Sequence, residues 1–127
     1  MRKLCADFHT HTTYCDGKST PRQMVEAAYS MGLTDFGISG HADYSMWEPG
    51  FGMSDAILSA YKQELEILRE EYAGKMNIYI GIELDTLGPV QQAEYAIGST
   101  HSILKDGHLV TVDDTEEKLV CAVETLW

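Results

Sequence analysis

The chain has 127 residues, 44% of them hydrophobic, and sets 20 Asp+Glu against 9 Lys+Arg for a formal charge of -11. That composition suits one modest globular domain. The charge repels phosphate backbones and argues against a nucleic-acid partner unless bound cations reverse the local field. No apolar run reaches bilayer length, and Asp7 interrupts the first residues before a secretory core could form, so an untargeted cytoplasmic protein with no membrane contact is expected. Cys5, Cys15 and Cys121 are odd in number and lack C-x-x-C spacing, which indicates neither a disulfide framework nor a thiolate zinc knuckle.

In chain order, Lys3 to His9 reads as a strand ending in polar residues. Thr20 then N-caps a helix with Pro21 at its first position and Gln23 closing a capping box. Met24, Val25, Ala28 and Met31 form its apolar face and Gly32 ends it. Leu33 to Ser39 is the next strand, so the first forty residues predict a βαβ unit with parallel strands. Tyr44 to Met53 reads as an irregular functional loop, with Trp47, Phe51 and Met53 as candidate lid residues.

Ser54 or Asp55 caps a long helix in which Ile57, Leu58, Tyr61, Leu65, Leu68 and Tyr72 recur at helical spacing. Its charged residues make a solvated face. Gly74 stops it, Asn77 to Glu83 reads as a fully buried strand, Leu87-Gly88-Pro89 as a turn, and Tyr95 to Ser99 as a fourth strand. Lys105-Asp106-Gly107-His108 predicts a hairpin between Ser102–Leu104 and Leu109–Val112. Asp114 or Thr115 caps a last helix with Leu119, Val120, Val123 and Leu126 as its apolar positions. That helix meets no stop signal before Trp127, so residues 1–127 are expected to form one structural unit, the first portion of a longer fold.

Ligand-type residues recur at strand ends: His9 and His11 after the first, His41 after the second, Glu83 after the third and His101 after the fourth. In a β/α architecture the carboxyl ends of parallel strands converge on one face, which would gather these five. His9 and His11, two apart, point to the same side of an extended chain and can chelate one ion. Imidazoles with a carboxylate suit zinc, manganese or iron, and the two oxygens of Glu83 can bridge two ions. Asp16 is either a further ligand or the first residue of an ordinary Asp-Gly turn. Cys15 is expected to be a small buried thiol rather than a ligand, Asp7 to orient a histidine or hold the strand end, and His108 to be exposed. Asp43, Tyr44 and Asp85 are candidates for substrate contact or for tuning the ligands.

Asp7-x-His9-x-His11, Asp16-Gly17, Ser39-Gly40-His41, Gly81-Ile82-Glu83 and Gly98-Ser99-Thr100-His101, in this order, resemble the PHP family of metal-dependent phosphoesterases, above all its histidinol-phosphatase members. The resemblance implies an α/β fold, the first half of a distorted seven-stranded β/α (TIM-like) barrel. It implies two to three divalent ions (Zn, Mn or Fe), with His9 and His11 on the first, Glu83 bridging first and second, His101 on the second, and Asp16 and His41 on a third. The implied reaction is hydrolysis of L-histidinol phosphate by a metal-bound hydroxide, with His9, His11, Glu83 and His101 acting through the ions.

Members of that family are substantially longer, and their second half adds a histidine, an Asp-x-His motif and basic phosphate-binding residues without counterpart in these 127 residues. The expected partner is therefore a second copy in a homodimer or a C-terminal half completing the barrel, besides a small phosphate-ester substrate. A non-catalytic metal-binding half-domain and a PHP-type nuclease are the rival readings, and the acidic composition disfavours the nuclease.

Overall fold

Residues of the two central strands alternate between large apolar and small or polar, and this period of two gives the sheet unlike faces. The computed structural model describes residues 5–112 and 114–126. Six elements come first: β1 (Ala6–Asp7), α1 (Pro21–Ser30), β2 (Asp35–His41), α2 (Asp55–Glu71), β3 (Asn77–Asp85) and β4 (Tyr95–Ser99). β5 (Ser102–Lys105), β6 (His108–Thr111) and α3 (Glu116–Leu126) follow. β1 to β4 pair in parallel and in sequence order, while β5 and β6 form a separate antiparallel hairpin. Among the described residues no helix is long and apolar enough to cross a membrane.

One face of the sheet is the core. Phe36 and Ile38 of β2 and Ile78, Ile80 and Ile82 of β3 pack with Val25 and Ala28 of α1 and with Leu58, Tyr61, Leu65 and Leu68 of α2. Tyr61 is fully buried, and its hydroxyl donates toward Ile38 O at 2.6 Å with Gly81 O at 2.9 Å, which fastens α2 to the sheet. α1 starts with the expected capping box: Thr20 N donates to Gln23 Oε1 (2.9 Å) and Gln23 N to Thr20 Oγ1 (3.3 Å).

The intervening residues Gly37, Ser39 and His41 of β2 and Tyr79, Gly81, Glu83 and Asp85 of β3 face the other way. A Cβ on Gly81 would lie 2.1 Å from Tyr95 Cζ, and one on Gly37 2.3 Å from the Tyr95 hydroxyl. The two glycines thus form a slot for the Tyr95 ring. From β4 that ring crosses β3 and β2 and donates its hydroxyl to Phe8 O at 2.8 Å, beside the end of β1. A hydrogen bond between the first and last strands requires the sheet to curl, so the four strands form a parallel half-barrel whose concave floor is plugged by Phe8, Tyr79 and Tyr95 in edge-to-face contact.

Several expectations are corrected. Strand pairing in β2 runs through His41 and in β3 through Asp85, so His41 and Glu83 sit within strands, and β3 is buried from Ile80 to Glu83 but exposed at Asn77 and half-buried at Tyr79. β1 is only Ala6–Asp7, and the predicted Lys3 and Leu4 lie outside the described residues. Met31 is 73% exposed because it caps α1 one residue beyond the packed turn. Ile57 is exposed on α2.

Leu119, Val120 and Val123 of α3 are each about half exposed, while Ala122 is buried. α3 leans on the narrow β5–β6 hairpin, which cannot cover a whole apolar stripe. The Leu126 side chain and Trp127 lie outside the described residues. The hairpin matches its prediction, with Asp106 (φ 51°) and Gly107 (φ 77°) both left-handed as a two-residue type I′ turn requires.

Replacing Gly81 by Ala forces a methyl into the Tyr95 ring, and overpacking of this kind costs about 1–3 kcal/mol. Urea unfolding of Gly81→Ala should show that loss; an unchanged midpoint would contradict the slot.

Candidate metal centre

Register sets the first pair. His41 of β2 is the direct parallel partner of Glu83 on β3. Beyond β1 the chain continues beside β2, with Thr10 Oγ1 donating to Gly37 O (3.0 Å) and Ser39 N donating to Thr10 O (2.9 Å). His9 and His11 flank that anchored threonine. The chain then turns on itself: Thr12 O accepts from both Cys15 N and Gly17 N at 3.0 Å. A Cβ on Gly17 would stand 2.4 Å from Thr12 N, so glycine is required there. The turn returns Asp16 to the strand ends, so the Asp-Gly pair makes a turn and also delivers a carboxylate.

Glu83, only 3% exposed, is the hub. Its Oε2 lies 3.1 Å from His9 Nε2, 3.2 Å from His11 Nε2 and 3.3 Å from His41 Nδ1, and its Oε1 lies 3.4 Å from His101 Nε2. Asp16 faces His11 Nδ1 with Oδ1 (3.5 Å) and His41 Nε2 with Oδ2 (3.4 Å). Three overlapping donor sets result: His9, His11 and Glu83; His11, Asp16 and His41; His41, Glu83 and His101. Within each set the donor atoms all lie within 4.8 Å of one another. All six residues singled out in the sequence converge. They are less partitioned than expected, because His11 and His41 each belong to two sets.

Charge and burial favour the states that bind cations. Burial pushes the Glu83 carboxyl upward, but the hydrogen bond from His9 and the neighbouring His41 and His101 more than offset it and hold it below its ordinary range. Asp16 is likewise held low: burial raises it, and His41, Cys15 and His11 outweigh that. His41 is pushed down, mainly by burial and against the pull of Glu83. A neutral imidazole has one N–H, yet both nitrogens of His41 face carboxylates and three ring nitrogens crowd one oxygen of Glu83. A divalent cation satisfies such a set better than hydrogen bonds can, and its nitrogen and oxygen donors fit zinc, manganese or iron.

The surroundings are equally specific. Asp85, whose side chain is 8% exposed, accepts from His101 N (2.8 Å) and lies 3.0 Å from His101 Nδ1. Asp7 Oδ1 accepts from His9 N (3.1 Å) and so holds the strand end. Cys15 Sγ lies 3.5 Å from His11 Nδ1, and burial pushes its thiol up. Asp43 is spent on the turn to Ser45 N, and His108 is exposed at the turn of the hairpin, as expected.

Of the candidate lid residues only Phe51 faces the imidazoles, 4.6 Å from the His41 ring between centroids. Trp47 is tied by its Nε1 to Leu87 O (2.9 Å), and Met53 is wholly buried in the core. A cavity of about 320 Å³ lined by Asp16, His41, Tyr44, Phe51, His101 and Ser102 opens beside the cluster. Sequence reasoning missed Gln91, which is buried. It accepts from Asp43 N and donates to Met53 O and Asp55 Oδ1, stapling the loop that follows β2. A lone glutamine in an irregular segment carries no signal of that role.

Clustered imidazoles and carboxylates at the carboxyl ends of parallel strands define a metal-site α/β half-barrel. The chain belongs to the PHP domain family, whose profile matches residues 7–123. The histidinol-phosphatase of Lactococcus lactis is 34% identical over 84 residues, covering 66% of this chain and 30% of its own. A crystal structure of L. lactis histidinol phosphate phosphatase with zinc, L-histidinol and phosphate has a TM-score of 0.67 at 25% identity, covering 87% of this chain and 44% of that one. For fold alone, the HisK structure from Listeria monocytogenes gives a TM-score of 0.73 at 22% identity, covering 89% and 51%. The chain thus spans about half or less of the length of these relatives.

The lowered His41 gives stability a definite pH slope. The unfolded imidazole takes up a proton near its ordinary value of 6.5 while the folded one resists, so folding stability falls on acidification through that region. Glu83 and Asp16, also lowered, extend the loss to more acidic pH, below their ordinary values of 4.5 and 3.8. Melting temperatures of the metal-free chain between pH 7.5 and 5.5 should fall more steeply for wild type than for His41→Gln; parallel slopes would contradict the assignment.

Proposed function

We propose that His9, His11, Asp16, His41, Glu83 and His101 hold two to three divalent ions, zinc, manganese or iron, and that the centre hydrolyses a small phosphate monoester of the histidinol phosphate type. The observation that carries this reading is the division of Glu83, whose Oε2 meets His9 and His11 while Oε1 meets His101, the arrangement a bridging carboxylate needs. Membership of the family and the zinc, L-histidinol and phosphate held by the L. lactis neighbour support it. When bound, such ions activate water for attack on phosphorus and neutralise charge on the nonbridging oxygens.

The chain's residues do the rest. Glu83, His9, His11 and His101 would hold the ions, and the adjoining cavity would receive the alcohol part of the ester. Bound cations also resolve the electrostatic conflict of a chain of charge -11 admitting a phosphate. Among the described residues β4 pairs only with β3, which leaves an open parallel edge beside the centre. We infer that further strands cover it, from a second copy or from a polypeptide supplying the other half of the barrel.

With zinc or manganese added, the chain should release phosphate from L-histidinol phosphate, and chelation, His9→Ala or Glu83→Gln should each lower the rate at least about 100-fold. Bound metal with no ester cleaved under any metal would instead make the chain a metal-binding module. On sedimentation analysis the isolated chain should dimerise at micromolar concentration; a dispersed monomer would contradict self-pairing.

A further inference from the structure

We infer that Asp85 is a positioning residue that locks His101 in a single tautomer, with the proton on Nδ1 and the lone pair of Nε2 aimed at Glu83. The inference rests on the metal-centre reading only for what Nε2 then binds. Asp85 belongs to none of the three donor sets. It stands two residues beyond Glu83 on the same face of β3, and its parallel partner across the sheet is Ser99, two residues before His101.

Three nitrogens converge on the Asp85 carboxylate. His101 N (2.8 Å) and His101 Nδ1 (3.0 Å) share Oδ2, and Leu87 N donates to Oδ1 (2.9 Å). An ionised carboxylate only accepts, so a ring nitrogen at that distance must carry the proton. In a neutral imidazole the other nitrogen then keeps its lone pair, and that nitrogen, Nε2, lies 3.4 Å from Glu83 Oε1. Because Asp85 grips both the backbone and the ring of His101, it sets the position of the residue and the direction of its imidazole together.

The neighbouring Ser99 Oγ, 3.1 Å from Nδ1, cannot do this, since a hydroxyl donates or accepts and leaves the tautomer open. Nor are the other central rings held this way. His41 turns both nitrogens to carboxylates of the donor sets, and His11 lies between Glu83 and Asp16. Asp85 supplies its anchor from outside the sets, the arrangement by which a carboxylate orients a metal-binding histidine and raises its basicity. Asparagine cannot replace it. One acceptor oxygen and one NH₂ must serve three converging N–H groups, so the NH₂ opposes a donor in either orientation.

The test uses the full chain. Long-range ¹H–¹⁵N NMR of the metal-free protein should show His101 protonated at Nδ1, a result that needs no variant. Asp85→Asn and Asp85→Ala should admit the Nε2–H form and weaken the tightest zinc binding about 10–100-fold by calorimetry. Ser99→Ala should leave the tautomer unchanged. A wild-type His101 protonated at Nε2 overturns the inference, as does zinc affinity and tautomer unchanged in both Asp85 variants, which would reduce Asp85 to a turn residue for Leu87. Wild-type protein with the Nδ1–H tautomer but no affinity for zinc overturns the metal-directed half and, separately, the metal-centre reading.

Discussion

A carboxylate withdrawn from water among imidazoles is the constraint on which this structure turns. Glu83 keeps 3% of its surface exposed, and a buried charge is tolerated only when matched by charge or by hydrogen bonds. The match comes from four histidines on three segments, so the condition that keeps Glu83 ionised also draws the strand ends together. The centre and the curl of the sheet are in that sense one problem. The sheet must bend far enough for the segments that follow β1 and β4 to bring their imidazoles to a residue on β3.

The bend is built below the ligands. β3 presents two surfaces with different tasks: Ile78, Ile80 and Ile82 enter the helix-side core, while Tyr79, Gly81, Glu83 and Asp85 rise along the concave side from an aromatic floor to a polar rim. Glycine in a strand weakens it, and here the weakness is offset by admitting Tyr95, whose bond to Phe8 ties the outer strands across the floor. Above that plug the face turns polar. Ser39, His41 and Glu83 are buried there.

Local signals were legible in the sequence where a few neighbouring residues decide the outcome. Thr20 and Gln23 close their box, Ser54 caps α2, and Asp106-Gly107 turns its hairpin, because each depends on backbone conformation within a few residues. The convergence of the six candidate ligands was legible because strand ends in a parallel sheet meet by topology. Contacts set by long-range geometry were not. Nothing local marks Gly37 and Gly81 as a slot for a tyrosine on another strand, Met53 as core rather than lid, or Gln91 as a staple. The apolar spacing of α3 was readable, but how much of that stripe is covered depends on the width of the hairpin beneath it.

The central claim is that Glu83 is a bridge between cations rather than a buried ion-pair acceptor. Anomalous diffraction at the zinc edge from crystals of the chain grown with zinc tests it directly. The account predicts separate peaks beside the two Glu83 oxygens, each about 2.0–2.2 Å from its oxygen, with one also bound by His9 and His11 and the other by His101. A map with no peak at Glu83, with the imidazoles still hydrogen-bonded to it, would contradict the account.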